Sequence, residues 1–494
     1  IRDRAMENLP QKSNSFVLFG ASGDLSFRKL MPAWFYLERS GKLDDSLKIL
    51  GIARQDITTE QFQEKVVDAL KMYVSSEYFD VEVCNKLIKR IDYCCCDLQN
   101  PDDYQKINSS LSGWSKPIAY YLAIPPNLFE TVCDGLNSIQ ILTNESRIVV
   151  EKPIGYNLDS SREINDKLSK YFSESQIYRI DHYLGKETVQ NLITLRFANS
   201  LFSSQWNSKS IEYIEITAAE SVGIEGRWGY FDGVGQMRDM VQSHILQLLC
   251  LIAMEPPSRL NDEGIRSEKV KVLKALRPIT DDDIADSFIK AQYTDGQILD
   301  NKKPGYLNEE GANSESTTET FVCIKAQIEN WRWSGVPFYV RTGKRMASKT
   351  TQIVVHFKSD GHYIFDRNQE DLEGNALIIS LHPIEGISLK VYTKPHGVDQ
   401  HMSIRSDPMS LDFIKTQQLL NIPSGYQSLL MDILIADQSL FLCKEEVELS
   451  WEWCDNAFER WQKSSQALYS YPVGSNGPLE SELFIKKNGH KWHE

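Results

Sequence analysis

Over roughly the first 180 positions, apolar residues gather in short unbroken runs separated by longer amphipathic stretches; beyond that point the rhythm changes. The early runs are Phe16 to Gly20, Lys48 to Ala53, Ile91 to Cys96, Ile118 to Ile124 and Arg147 to Lys152. They are apolar almost throughout rather than alternating, as strands covered on both faces require. Helical patterns such as Thr59 to Tyr73 and Leu158 to Phe172 lie between them, so the order β-α-β-α predicts a parallel sheet. After about residue 185 the pattern predicts a helix over Gly185 to Phe197, a strand over Ile211 to Glu220 and a helix over Gln236 to Met254. Later runs, Phe321 to Ile328, Gln352 to Phe357, Ala376 to Leu381 and Ile387 to Lys394, predict an antiparallel sheet. The polar stretch Asn308 to Thr320 reads as a surface loop.

A chain of 494 residues exceeds the size at which a single hydrophobic core stops growing. The expected division is an α/β domain over 1–185 and a larger α+β domain with a mainly antiparallel sheet over 186–494. A net charge of -14 opposes general attraction to nucleic acid phosphates, so an anionic ligand needs a local basic pocket. No run approaches the roughly 20 apolar residues that span a bilayer. The nine cysteines lack the paired spacings of zinc sites and read as free thiols of a cytoplasmic protein. Cys94, Cys95 and Cys96 fit a buried strand, because cysteine packs as a small hydrophobe. The segment Ile1 to Ser15 has basic residues but no apolar core, so no secretory signal is expected.

Candidate chemistry sits where the predicted strands end. The first runs into Gly20-Ala21-Ser22-Gly23-Asp24-Leu25, a Rossmann-type turn whose glycines let backbone approach a pyrophosphate at a helix N-terminus. The spacing is G-x-x-G rather than the fuller fingerprint, and many strand-to-helix turns need glycine on steric grounds alone. The second strand ends at Arg54, where a guanidinium suits a 2'-phosphate and favours NADP; a solvated surface arginine is the alternative. The fifth ends in Glu151-Lys152-Pro153, which sets a cation at the sheet rim, or simply an exposed lysine before a turn. If Arg179 to Tyr183 is extended, Asp181 and His182 point to opposite sides, and His182 and Lys186 could converge on one phosphate.

The segments GASGDL, EKPIG, RIDHYLGKE, EGRWGYFDGVGQMRDMVQSH (Glu225 to His244) and WRWSGVPFYVRTGKR (Trp331 to Arg345) occur in one order over nearly the whole chain. Together they resemble the glucose-6-phosphate dehydrogenase family. RIDHYLGKE is the most specific piece, whereas EKP also occurs in other NADP oxidoreductases acting on sugars. The resemblance implies oxidation of glucose 6-phosphate at C1 with hydride transfer to NADP, in the pentose phosphate pathway. It implies His244 as general base, oriented by Asp181. It also implies His182, Tyr183 and Lys186 at the substrate phosphate, Glu220 and Asp239 at sugar hydroxyls, and Lys344 with Lys349 as further substrate lysines. On the cofactor side it implies the Gly20 to Leu25 loop and Lys29 near the pyrophosphate, Arg54 at the 2'-phosphate, and Lys152 where cofactor and sugar meet. No metal is implied, since hydride transfer to a nicotinamide needs orientation and a base. The family resemblance further implies a homodimer or homotetramer.

Taken alone, His244 reads as one polar residue on an amphipathic helix, and RTGKR as a solvated basic turn. Two rivals remain at this level: an NADP-linked sugar oxidoreductase of the glucose-fructose oxidoreductase type, and a non-catalytic NADP sensor. The first has no need of His182 and Lys186 as a phosphate clamp; the second has no need of both Asp181 and His244.

Overall fold

The computed structural model describes residues 11–359, 374–394, 405–412 and 425–493. Most of the N-terminal segment read for a signal therefore lies outside the described residues. The chain forms two compact units. The first runs to Lys186 and takes in Pro257–Ser267 and a later segment ending at Glu448; the second holds the rest. A single cut at 185 therefore does not describe the units, because two later segments return to the first.

The first unit is built on β1 (Ser15–Phe19), β2 (Lys48–Ala53), β3 (Ile91–Cys95), β4 (Ile118–Leu122), β5 (Arg147–Val150) and β6 (Ile177–Arg179), in the order β3-β2-β1-β4-β5-β6. All neighbours pair in parallel. This is the doubly wound order, with its reversal between β1 and β4, where such sheets bind ligands. Every residue of β1, β4 and β5 is buried, which is why their sequences show no alternation. Local chemistry starts the covering helices: Thr58 and Gln61 form a reciprocal cap on the helix Thr59–Tyr73, and Asn157 with Ser160 does the same for Leu158–Ser169. Phe16 meets Trp34 edge to face at 4.9 Å in a core that also holds Tyr121, Tyr178 and Tyr426. Cys94 and Cys96 are buried at the end of β3.

The second unit carries β7 (Ile211–Ala219), β8 (Phe288–Thr294), the ribbon β9 (Gly296–Ile298) with β10 (Asn301–Lys303), then β11 (Phe321–Gln327), β12 (Pro337–Gly343), β13 (Thr350–Phe357), β14 (Ala376–His382), β15 (Gly386–Thr393), β16 (Arg405–Asp412) and β17 (Tyr469–Pro472). Its large sheet has the order β16-β15-β14-β13-β7-β12-β11-β8-β17. Pairing is mainly antiparallel, but β12 runs parallel to β7 and β17 parallel to β8. The predicted helix over Gln236 to Met254 is continuous yet not uniform: Met237–Ile245 winds with the wider π spacing, and Leu246–Ala253 is α-helical. Periodicity finds the helix but not its winding. The polar stretch ending at Thr320 is not all surface loop, since Glu319 and Thr320 are 2% and 0% exposed.

Candidate active site

At the β1 turn, Gly20 adopts φ +78°, and a Cβ there would lie 2.2 Å from the carbonyl oxygen of Ala123. The Gly20 and Ala21 amides both donate to Ile52 O, at 2.9 and 3.1 Å, and Gly23 N donates to Gly20 O at 2.9 Å. Only glycine fits at the first position, so the loop is held tight against the switch point between β1 and β4. Ser22 and Leu25 are half-buried, while Gly23, Asp24 and Lys29 face solvent. Arg54 follows β2 directly and is exposed. A close-packed glycine turn with an exposed guanidinium at the next strand end fits a dinucleotide carrying a 2'-phosphate.

The strand ending at Arg179 does not continue to Tyr183, so the opposite-faces reading of Asp181 and His182 fails. The chain turns instead, with Leu184 N donating to Asp181 O and Lys186 N to Tyr183 O, each at 3.1 Å. Asp181 is 1% exposed, and its Oδ1 accepts the Tyr183 amide at 2.9 Å. The turn gathers the half-buried His182, Tyr183 and Lys186; the lysine ammonium lies 4.6 Å from the centre of the Tyr183 ring. Tyr426 stacks parallel to His182 at 6.2 Å. Sequence reading missed Tyr426, because it arrives from a segment some 240 residues downstream that shows no motif.

Lys152 is half-buried after β5, with a cis peptide bond to Pro153. Its neighbour Glu151 was likewise missed. The residue keeps some exposed surface, but protein atoms surround its carboxyl, which accepts the Tyr121 hydroxyl at 2.5 Å. Burial pushes that carboxyl up to about 7, against the hydrogen bonds from Tyr121 and Tyr426 and the nearby Lys152 charge, while Asp181 pushes the same way as burial.

In the second unit the parallel register of β7 and β12 sets Ala219 opposite Gly343, and Glu220 N donates to Gly343 O at 2.9 Å. The next residues therefore meet: Lys344 Nζ lies 2.6 Å from Glu220 Oε2 and 3.6 Å from Asp239 Oδ2. RTGKR is thus no solvated turn, as Lys344 is 3% exposed and Arg345 6%. Lys349 is exposed. His244, on the same wide-wound helix as Asp239, is 1% exposed. A buried cation held by two half-open carboxylates can exchange those contacts for the hydroxyls and phosphate of a sugar phosphate.

Taken together, a doubly wound sheet with this turn and a second unit with this charged cluster define a dinucleotide-dependent dehydrogenase acting on a polar, anionic substrate. Residues 17–191 match the family model described as glucose-6-phosphate dehydrogenase, NAD binding domain, and residues 193–493 match glucose-6-phosphate dehydrogenase, C-terminal domain. The chain belongs to the glucose-6-phosphate dehydrogenase family. It is 42% identical to glucose-6-phosphate 1-dehydrogenase of Dickeya dadantii, covering 97% of each chain, and 40% identical to that of Rhizobium meliloti, covering 98% and 99%. A solved glucose-6-phosphate dehydrogenase in complex with its substrate glucose-6-phosphate matches with TM-score 0.89 and 33% identity, over 99% of this chain and 100% of that one. The enzyme from Mycobacterium avium matches with TM-score 0.85 and 30% identity, over 98% and 99%. These matches do not favour the glucose-fructose oxidoreductase and sensor readings.

Proposed function

We propose the following working of the site in this family member. The protein oxidises glucose 6-phosphate at C1 to 6-phospho-glucono-1,5-lactone with NADP, the first oxidative step of the pentose phosphate pathway. The bound nicotinamide supplies the hydride acceptor. His244 takes the C1 hydroxyl proton, so that positive charge does not build at C1 as hydride leaves, and Asp181 orients the imidazole. His182, Tyr183 and Lys186 hold the substrate phosphate, with Lys152 at the meeting of sugar and cofactor. Glu220 and Asp239 accept sugar hydroxyls, and Lys344 and Lys349 complete the substrate lysines. The Gly20 to Leu25 loop and Lys29 receive the pyrophosphate, and Arg54 the 2'-phosphate.

The observation that carries this reading is the buried Lys344 between Glu220 and Asp239, a charged cluster already shaped for a polar ligand. The reading includes a cytoplasmic homo-oligomer built on the large sheet, to be checked by light scattering. The deciding assay follows nicotinamide reduction with glucose 6-phosphate or glucose and with NADP or NAD, for the parent and His244→Asn. A fall of roughly 10²- to 10⁴-fold in kcat with substrate binding retained is expected. Equal turnover of glucose and its phosphate would remove the clamp role from His182 and Lys186.

A further inference from the structure

The helix that carries Asp239 and His244 begins in an unusual way. Gly235 enters it at φ +73°, and a Cβ there would lie 2.5 Å from Glu319 Oε1. That oxygen accepts the Met237 amide at 3.1 Å, and the Glu319 carbonyl accepts the Gln236 amide at 3.1 Å. The Gln236 side chain is held in turn by Thr342 Oγ1 at 2.8 Å. Together the carboxylate and the carbonyl of Glu319 satisfy two of the first amides, donors that the helix itself cannot, and the carboxylate complements the positive end of the helix.

Glu319 is itself fixed. It is 2% exposed, and its second oxygen, Oε2, lies 3.3 Å from Lys290 Nζ. Lys290 is enclosed too, with its ammonium 3.8 Å from the centre of the Trp461 ring and 4.2 Å from that of Phe458. The two carboxylate oxygens thus have separate duties, one to the ammonium and one to the helix. The adjacent residue reaches the other half of the site: Lys344 N donates to Thr320 O at 2.9 Å, and Tyr471 joins them, its hydroxyl donating to Lys344 O at 2.7 Å. Two consecutive residues therefore tie the start of the His244 helix to the backbone of the substrate lysine.

We infer that Glu319 is a positioning residue for the reaction: through Oε1 on the Met237 amide it sets the placement of the helix bearing His244 relative to Lys344. This rests on the reading of His244 as the base. Small displacements of a reacting group cost on the order of 10²-fold, so the device has a kinetic signature.

Two substitutions separate reach from charge. Glu319→Gln keeps an oxygen at the same reach for Met237 N but loses the charge; Glu319→Asp keeps the charge toward Lys290 but draws the oxygen back by one methylene. Positioning predicts that Glu319→Gln stays within about 3-fold of the parent kcat, while Glu319→Asp loses about 10- to 100-fold with KM for NADP unchanged and the acid limb of its kcat profile displaced. A purely structural ion pair gives the reverse order, and that order, or equal losses in both, would overturn the inference. His244→Asn is measured alongside. If it is inactive while both Glu319 variants turn over like the parent, only the positioning role fails; if it retains the parent kcat, the base reading fails and takes this inference with it.

Discussion

Lys344 Nζ sits 2.6 Å from Glu220 Oε2 because two parallel strands, β7 and β12, end in register beside each other. Neither strand alone encloses the lysine. Replacing Lys344 with Met removes the cation on which both carboxylates converge. A charged hydrogen bond contributes about 1.5–3 kcal/mol, so kcat/KM for glucose 6-phosphate should fall roughly 10- to 100-fold. The dissociation constant for NADP, measured by fluorescence titration, should hold; an unchanged kcat/KM would remove Lys344 from the site.

Arg54 faces solvent directly beyond β2, within the reach expected of a 2'-phosphate contact in the proposed site. Arg54→Ala should raise KM for NADP by roughly 10-fold or more while leaving NAD turnover in place. The measurement is the ratio of kcat/KM for the two cofactors. A ratio that does not move places the 2'-phosphate elsewhere.

Glu151 gives the first unit a pH dependence. Its carboxyl is raised from 4.5 to about 7, chiefly by burial, so the folded chain keeps a proton that the unfolded chain releases. Stability then falls as pH rises between those two values, and is undiminished below them. Asp432, also pushed up to about 7 by burial, slopes the same way. Glu151→Gln lacks the proton at issue, so its unfolding free energy, read from urea titrations, should gain on the parent by roughly 2–3 kcal/mol between about pH 5 and pH 8. A difference that stays constant with pH would show that the carboxyl does not titrate in this window.

Gly20→Ala forces a side chain into φ +78° and to within 2.2 Å of the Ala123 carbonyl. Strain and overlap together should cost on the order of 2–4 kcal/mol, read as a lower thermal midpoint, and NADP should no longer raise that midpoint. A variant that is as stable as the parent and still stabilised by NADP would contradict the tight-turn account.

What the linear sequence determined is local. Mainly apolar runs marked β1 to β5 to within two residues at either end, most cleanly where the strand is buried throughout, as in β1 and β4, and leaves no polar side to interrupt the run. The turn at Gly20 was legible because its chemistry lies within a few consecutive residues, whereas the segment from Arg179 to Lys186 showed its cluster of polar residues but not the turn that gathers them. The tertiary structure alone decided what depends on distant partners. The parallel pairing of β7 with β12 enclosed Lys344, which the sequence offers as an ordinary basic turn. Tyr426 reached His182, and Glu319, at the end of a polar stretch, became the buried anchor of the His244 helix. The reason is physical: propensity and periodicity act over a turn or a strand, whereas the partner of a buried charge is chosen by chain topology, across separations that leave no pattern in the sequence.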